Sequence, residues 1–265
     1  MEWREIESRQ NSVVKFAASL HEKKVRDRCG LIVAEGITLF SDLCGWGFFP
    51  ETVYLSAGVP DLAARVEEML GGEPCECYRI APSAFEKITT EKGSEGIVSV
   101  YAAEKLRKKL PLTAKNRLVA LEAVQDPGNV GTIIRSAASF GFDGVLLTGC
   151  ADPFGTKAVR ASMGAAFRIP VRAFSDTDAM FDFLDENGVI SVAACLSSDA
   201  VSILETPLCS PVCVVIGNEG NGLSQKAIGR SKIRSMIPIE QMESLNAAAA
   251  AAIYLWEIRK GKGKA

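Results

Sequence analysis

The sequence predicts an α/β protein made of two units, each on a mostly parallel sheet. Apolar runs of about four to eight residues alternate with amphipathic stretches along nearly the whole chain, the rhythm of strand and crossover helix in a parallel sheet. The 265 residues are long for one α/β domain and comfortable for two. Residues 104–116 carry charge and a proline with no apolar face to bury, so they are expected to link a domain over 1–103 to one over 117–265.

In the first domain the apolar periodicity predicts a helix over 11–28, a strand over 31–35, a helix over 37–45 and a strand over 51–55. A helix over 60–70, a strand near 77–80, a helix over 82–89 and a strand over 96–101 complete it. The second domain opens with a strand at 118–122, a turn at Asp126-Pro127-Gly128 and a helix over 129–140. Strands follow at 144–148, 168–173, 189–195, 212–217 and 233–239, with helices at 156–163, 177–187, 223–230 and 245–259. The last helix contains six consecutive alanines, Ala247 to Ala252, a run of high helix propensity.

Composition excludes several classes. No apolar run reaches the roughly 18 residues of a membrane span, and Met1-Glu2-Trp3-Arg4 opens a polar stretch rather than a signal peptide, so a cytoplasmic address is expected. The eight cysteines are scattered, several inside apolar runs, and neither Cys75/Cys77 nor Cys209/Cys213 has zinc-site spacing; no metal is expected. With His21 as the only histidine, imidazole base chemistry and His-based triads are excluded. The net charge of −2 is unusual for a nucleic-acid binder, but bases cluster at Lys23, Lys24, Arg26 and Arg28, at 105–117, at 226–234 and at 259–264. Each cluster is also compatible with a solvated helix face.

Three segments follow strands, where ligand-binding loops of a parallel sheet belong. The first runs from Gln125 through Asn129 and Gly131 to Arg135; read alone, Asn129 suits a helix N-cap and Arg135 a surface position. The second, Gly217-Asn218-Glu219-Gly220-Asn221-Gly222-Leu223-Ser224, lets backbone approach a ligand closely at a helix N-terminus. It lacks the Gly-Lys-Ser/Thr of a P-loop. A dinucleotide loop with Glu240 as the ribose acid remains a competitor, although a dinucleotide fold needs more βα units than the single helix left here. The third segment runs from Ile237 and Pro238 to Ser244-Leu245-Asn246, where Ser244 could simply cap the alanine helix.

In this order the three segments resemble the SpoU/TrmH family of SPOUT methyltransferases. The resemblance rests on Asn129-Val130-Gly131 with Arg135, Gly217-Asn218-Glu219-Gly220 with Gly222-Leu223-Ser224, and Pro238 with Ser244-Leu245-Asn246, and Lys157 to Ala165 with Pro170 adds to it. The first domain is similar to the substrate-binding domain of ribosomal-RNA members through Asn11 to Lys15, Lys23 to Arg26 and Val33 to Gly36, departing from the usual Asn-Pro at Ser12.

The resemblance implies a C-terminal parallel-sheet domain tied in a deep trefoil knot, preceded by a small α/β RNA-binding domain. It implies S-adenosylmethionine as cofactor, held by backbone around Leu196, Gly217, Gly220, Gly222, Ile237 and Leu245, and a ribose 2′-hydroxyl as methyl acceptor. It makes Arg135 the group that assists proton loss, either by binding phosphate and steadying the developing alkoxide, the role favoured because a guanidinium stays protonated, or as a true base. Asn129 and Glu219 would fix Arg135 and the ribose, and Ser244 and Asn246 would orient loop and cofactor. Lys23, Lys24, Arg26, Arg135 and Arg160 are the expected RNA contacts, and the chain is expected to work as a homodimer through its C-terminal domain. Ribosomal RNA is favoured over transfer RNA by the extra domain; a dinucleotide-dependent oxidoreductase and a non-catalytic RNA-binding protein remain alternatives.

Overall fold

Strands rich in Val, Ile and Leu organise both units of the chain. The computed structural model describes residues 1–90, 95–106, 108–110, 113 and 115–260. Two compact units emerge: Met1–Arg107 with Phe154–Gly164, and Lys108–Pro153 with Ala165–Ala265. The segment around the expected helix 156–163 thus groups with the first unit, although it lies within the second in sequence.

The first unit contains β1 (Trp3–Ile6), α1 (Ser12–Ser19), α2 (Lys23–Cys29), β2 (Leu31–Glu35), α3 (Ile37–Gly45) and β3 (Thr52–Ser56). It continues with α4 (Leu62–Leu70), β4 (Glu76–Ile80), α5 (Pro82–Phe85), β5 (Ile97–Ala102) and α6 (Ala103–Leu106). Among the described residues its sheet has the order β1-β4-β3-β5-β2. It is mixed rather than mostly parallel, because β5 runs antiparallel to both β2 and β3. The strand β1 escapes sequence reading because it is an edge: only Ile6 of its four residues is buried.

The expected helix 11–28 is two helices. Arg26, only 5% exposed, turns its guanidinium back and donates to the carbonyls of Leu20 at 2.8 Å and His21 at 2.7 Å. It thereby satisfies the end of α1 where the chain turns. Arg26 is therefore a buried structural arginine, which corrects its expected role in RNA contact, whereas Lys23, Lys24 and Arg28 are exposed. Arg26→Ala should lower stability by about 2 kcal/mol in thermal or denaturant unfolding, while Lys23→Ala and Lys24→Ala stay within about 0.5 kcal/mol.

The second unit contains β6 (Arg117–Glu122), α7 (Pro127–Ser139) and β7 (Gly144–Thr148), interrupted by α8 (Thr156–Ala161) of the first unit. A short 3-10 turn at Ala165–Phe167 then leads through Pro170 into β8 (Val171–Phe174), later than the expected 168–173 strand. There follow α9 (Thr177–Glu186), β9 (Ile190–Ala194), β10 (Val201–Ser202), β11 (Val212–Ile216), α10 (Gln225–Arg230), β12 (Ile233–Met236) and α11 (Ala247–Lys260). The order β10-β12-β9-β11-β6-β7-β8 is parallel throughout. On one face Leu118, Ala120, Cys213 and Val215 pack with Met180, Phe181 and Leu184 of α9. The alternate residues Val119, Leu121 and Val214 are also fully buried, so both faces are covered, which is why these strands read as continuous apolar runs.

The basic cluster at 226–234 is spent inside this unit. Lys226 pairs with Asp178 at 2.7 Å, Lys232 with Asp185 at 3.1 Å, Arg234 with Asp199, and Arg230 with Asp182 at 2.8 Å and Asp185 at 3.0 Å. The Lys226 and Arg230 pairs bind α10 to α9, the Arg234 pair binds β12 to the loop after β9, and together they leave little free positive charge there. Of the 105–117 cluster, Arg107 lies outside the described residues, and Arg117 is buried with its guanidinium on the Gly141 carbonyl. The tail beyond Lys260, with Lys262 and Lys264, also lies outside them. Among the described residues, no helix is long and apolar enough to cross a membrane, and no group of three or more His, Cys, Asp or Glu side chains could hold a metal ion.

Candidate active site

The carboxyl ends of three neighbouring strands, β12, β9 and β11, open into one cavity of about 410 Å³. Its walls include Ala194 to Leu196 from the end of β9, Ile216 to Leu223 from the end of β11, Met236, Ile237 and Ile239 from the end of β12, Ser244 and Leu245 before α11, and Ala247, Ala250 and Tyr254 within it. The volume lies in the usual range for small-molecule sites, about 300–1,000 Å³. Of the expected residues, Leu196, Gly217, Glu219, Gly220, Gly222, Ile237, Ser244 and Leu245 come together here.

The glycine loop is a tight backbone crossing. The amide of Asn218 donates to the Gly222 carbonyl and the amide of Gly222 to the Asn218 carbonyl, both at 3.0 Å. A β-carbon on Gly217 would stand 2.2 Å from the carbonyl carbon of Gly222, and Gly222 itself has φ +68°. Glycine is required at 217 for space and at 222 for backbone conformation. Asn218, which the sequence reading left unassigned, organises the turn: its Oδ1 accepts from the amides of Gly220 and Asn221 at 3.0 Å, and its Nδ2 donates to the Ala123 carbonyl at 2.9 Å.

A relay of side chains ties this loop to the other two segments. The helix α7 starts earlier than expected, because Asp126 accepts from the amides of Gly128 and Asn129 as its cap and Pro127 takes the first position. Asn129, relieved of capping, donates its Nδ2 to Glu219 Oε1 at 2.9 Å. Glu219 also accepts from the amides of Gln125 and Asp126, each at 3.2 Å. Asn246, not Ser244, caps α11, accepting from the amides of Ala248 at 2.9 Å and Ala249 at 3.2 Å. Its Nδ2 donates to Asn129 Oδ1 at 3.2 Å. Polarity is fixed at both ends: a carboxylate can only accept and a helix N-terminus can only donate, so each asparagine has one permitted orientation.

Burial alone would raise the Glu219 pKa, but the bonds from Asn129, Asp126 and Gln125 outweigh it and hold the carboxyl below its ordinary 4.5. At the cavity floor, burial pushes the Tyr254 phenol up to about 12, so it stays a neutral donor. Its hydroxyl, on a residue 1% exposed, has no hydrogen-bond partner among the described residues.

Arg135 is placed differently from expectation. It is exposed on α7, six residues after Asn129, does not line the cavity, and makes no hydrogen bond or ion pair with Asn129 or Glu219 among the described residues. Asn129 and Glu219 hold each other and the loops together instead of fixing this arginine within the same chain. Arg160, also exposed, lies in the first unit with Lys23 and Lys24.

Two outcomes follow from this geometry. Gly217→Ala must displace backbone at a cost of about 1–3 kcal/mol, so affinity for S-adenosylmethionine by calorimetry should fall about tenfold or more. Because the folded pKa of Glu219 is depressed, its contribution to stability is present above the unfolded value near 4.5 and lost as pH falls through the lower folded value. The stability gap between wild type and Glu219→Gln should therefore be constant near neutrality and close only in acid, as measured by denaturant unfolding at several pH values.

Comparison with known proteins shows the family. Residues 116–256 match the model of the SpoU rRNA methylase family, and residues 11–99 match the MRM3-like substrate binding domain. The chain is 31% identical over 259 residues to the 23S rRNA (guanosine(2553)-2′-O)-methyltransferase RlmP of Bacillus subtilis, covering 97% of this chain and 99% of that protein. It is similar to the crystal structure of an rRNA methyltransferase from Sinorhizobium meliloti, at 30% identity and TM-score 0.83, covering 98% of this chain and 99% of that one. An AdoMet-bound rRNA methyltransferase structure from that organism matches at 29% identity and TM-score 0.82, covering 98% of each chain. These matches leave the dinucleotide-dependent reading of the 217–222 loop without support. With the glycine loop, the Asn129–Glu219 pair and the Asn246 cap all gathered at one sheet edge, the chain belongs to the SpoU rRNA methylase family.

Proposed function

We propose that the chain transfers a methyl group from S-adenosylmethionine to a ribose 2′-hydroxyl of ribosomal RNA, in the cytoplasm, as a homodimer. The observation that carries this reading is one cavity walled by the glycine loop and the segment from Ile237 to Leu245 of a SpoU family member, with Asn129 of the first segment bonded to Glu219 in its wall. The residues fit the cofactor: glycines at 217, 220 and 222 bring backbone to the cavity wall, and the floor is apolar at Ala247 and Ala250. The AdoMet carried by the Sinorhizobium meliloti structure and the 2′-O specificity in the name of the Bacillus subtilis relative support the same assignment. The deep trefoil knot is our reading of the connectivity, supported by β12 inserting beside β9 and by α11 returning to pack on α7.

When bound, the cofactor supplies an electrophilic methyl group. The backbone around Leu196, Gly217, Ile237 and Leu245 would grip it, and Asn129, Glu219 and Asn246 would keep the loops in register. The remaining tasks are to orient the ribose oxygen and to stabilise the charge that develops as its proton leaves. His21, in the first unit, is the chain's one imidazole, so that task falls to Arg135, which can bind the adjacent phosphate and the nascent alkoxide. Since Arg135 does not reach its own cavity, we assign it to the cavity of the partner subunit. The exposed apolar side chains of α11, Ile253 and Trp256, beside Phe140 just after α7, support a dimer face on these two helices. The exposed Lys23 and Lys24 of the first unit, and Arg160, are assigned to RNA contact.

Incubation of the purified chain with labelled S-adenosylmethionine and ribosomal RNA should yield an alkali-resistant dinucleotide, the mark of a 2′-O-methyl group. Label in a base, or transfer to transfer RNA alone, would contradict the proposal. Arg135→Ala should abolish transfer while sparing cofactor affinity. Mixing it with Gly217→Ala subunits should restore about a quarter of wild-type activity, since half of the dimers then hold one complete site. No recovery would place Arg135 in its own subunit's site.

A further inference from the structure

Two adjacent residues at the end of β6 grip the glycine loop at both of its ends. At the entry, the Ala123 carbonyl accepts from Asn218 Nδ2 at 2.9 Å, and Ala123 holds a left-handed φ of 57° that a β-carbon disfavours. At the exit, Glu122 accepts from the Ser224 amide through Oε2 and from the Ser224 hydroxyl through Oε1, both at 2.8 Å. The same Oε1 accepts from the Thr177 hydroxyl at 2.7 Å, where α9 begins. Having given its one proton to Glu122, the Ser224 hydroxyl accepts from the Ala227 amide at 3.0 Å and so caps α10. Glu122 is 6% exposed and does not line the cavity. A buried carboxylate is costly unless such bonds are made, and here all three point at elements that frame the loop.

We propose that Glu122 is a positioning residue for methyl transfer. Away from the cavity lining, it anchors Ser224 and thereby sets the path of the backbone from Gly217 to Leu223 along the cavity wall. This rests on the cavity being the S-adenosylmethionine site. An amide at position 122 would keep one acceptor oxygen and turn a donor toward either the Ser224 amide or the two hydroxyls. The loop would then lose its exit anchor although no residue that lines the cavity had been substituted.

The test is calorimetric cofactor affinity together with steady-state kinetics. Glu122→Gln should raise Kd and KM for S-adenosylmethionine about tenfold, while kcat at saturating cofactor changes by less than about threefold. Thr177→Val, which removes only the bond to α9, should lower Tm and leave cofactor affinity unchanged. Ser224→Ala should weaken affinity in the same direction as Glu122→Gln, and the double variant should be no worse than Glu122→Gln alone. Wild-type affinity in Glu122→Gln, equal weakening by Thr177→Val, or additive losses in the double variant would overturn the assignment. If Glu122→Gln does not fold, the contrast between Ser224→Ala and Thr177→Val decides it. Gly217→Ala separates the two readings: unchanged affinity there overturns the cavity itself, whereas loss there with wild-type affinity in Glu122→Gln overturns only the role of Glu122.

Discussion

The site depends on one chain of hydrogen bonds, from the helix α11 N-terminus through Asn246 and Asn129 to Glu219. Each link has a single polarity, because the helix end supplies only donors and the carboxylate only acceptors. Three loops far apart in sequence, around residues 129, 219 and 246, are thereby forced into one arrangement. None of these side chains is deeply buried, so the relay adds modest stability; its effect is to hold register. The depressed Glu219 pKa expresses the same fact, since the bonds that organise the loops favour the charged carboxyl.

The parallel sheet makes that relay possible. Strands β6, β11 and β9 are buried on both faces and end together, so their following loops emerge on one rim. Glycine at 217 lets the loop cross itself, and small residues at Ala247 and Ala250 leave room beneath it. The cavity is thus lined by apolar side chains and glycine backbone, with Glu219 in its wall and Asn129 and Asn246 bonded behind it.

Much of this was legible in the residues. The buried strands announce themselves as apolar runs, and the glycine turn, Asn129, Glu219 and Asn246 were visible as a joint pattern. The edge strands β1 and β10 were not, since one shows a single buried residue and the other is only two residues long. The start of α7 was readable from Asp126-Pro127, an N-cap followed by a first-turn proline, and reading it would have freed Asn129 for the relay. Arg26 misled because a buried arginine looks like a surface one until its carbonyl partners are known. Glu122 and Tyr254 carry no local signal at all: their roles come from neighbours about 55 to 100 residues away in sequence or from a cavity wall. The position of Arg135 relative to the cavity depends on helix phase and on assembly, which spacing along the chain does not encode.

Amide hydrogen exchange with and without S-adenosylmethionine tests the central claim most directly. If the loops after β9, β11 and β12 form one cofactor cavity, amides in 194–198, 217–224 and 237–249 should gain protection together on addition of the cofactor. Protection confined to one of these segments, or appearing only in the first unit, would contradict it.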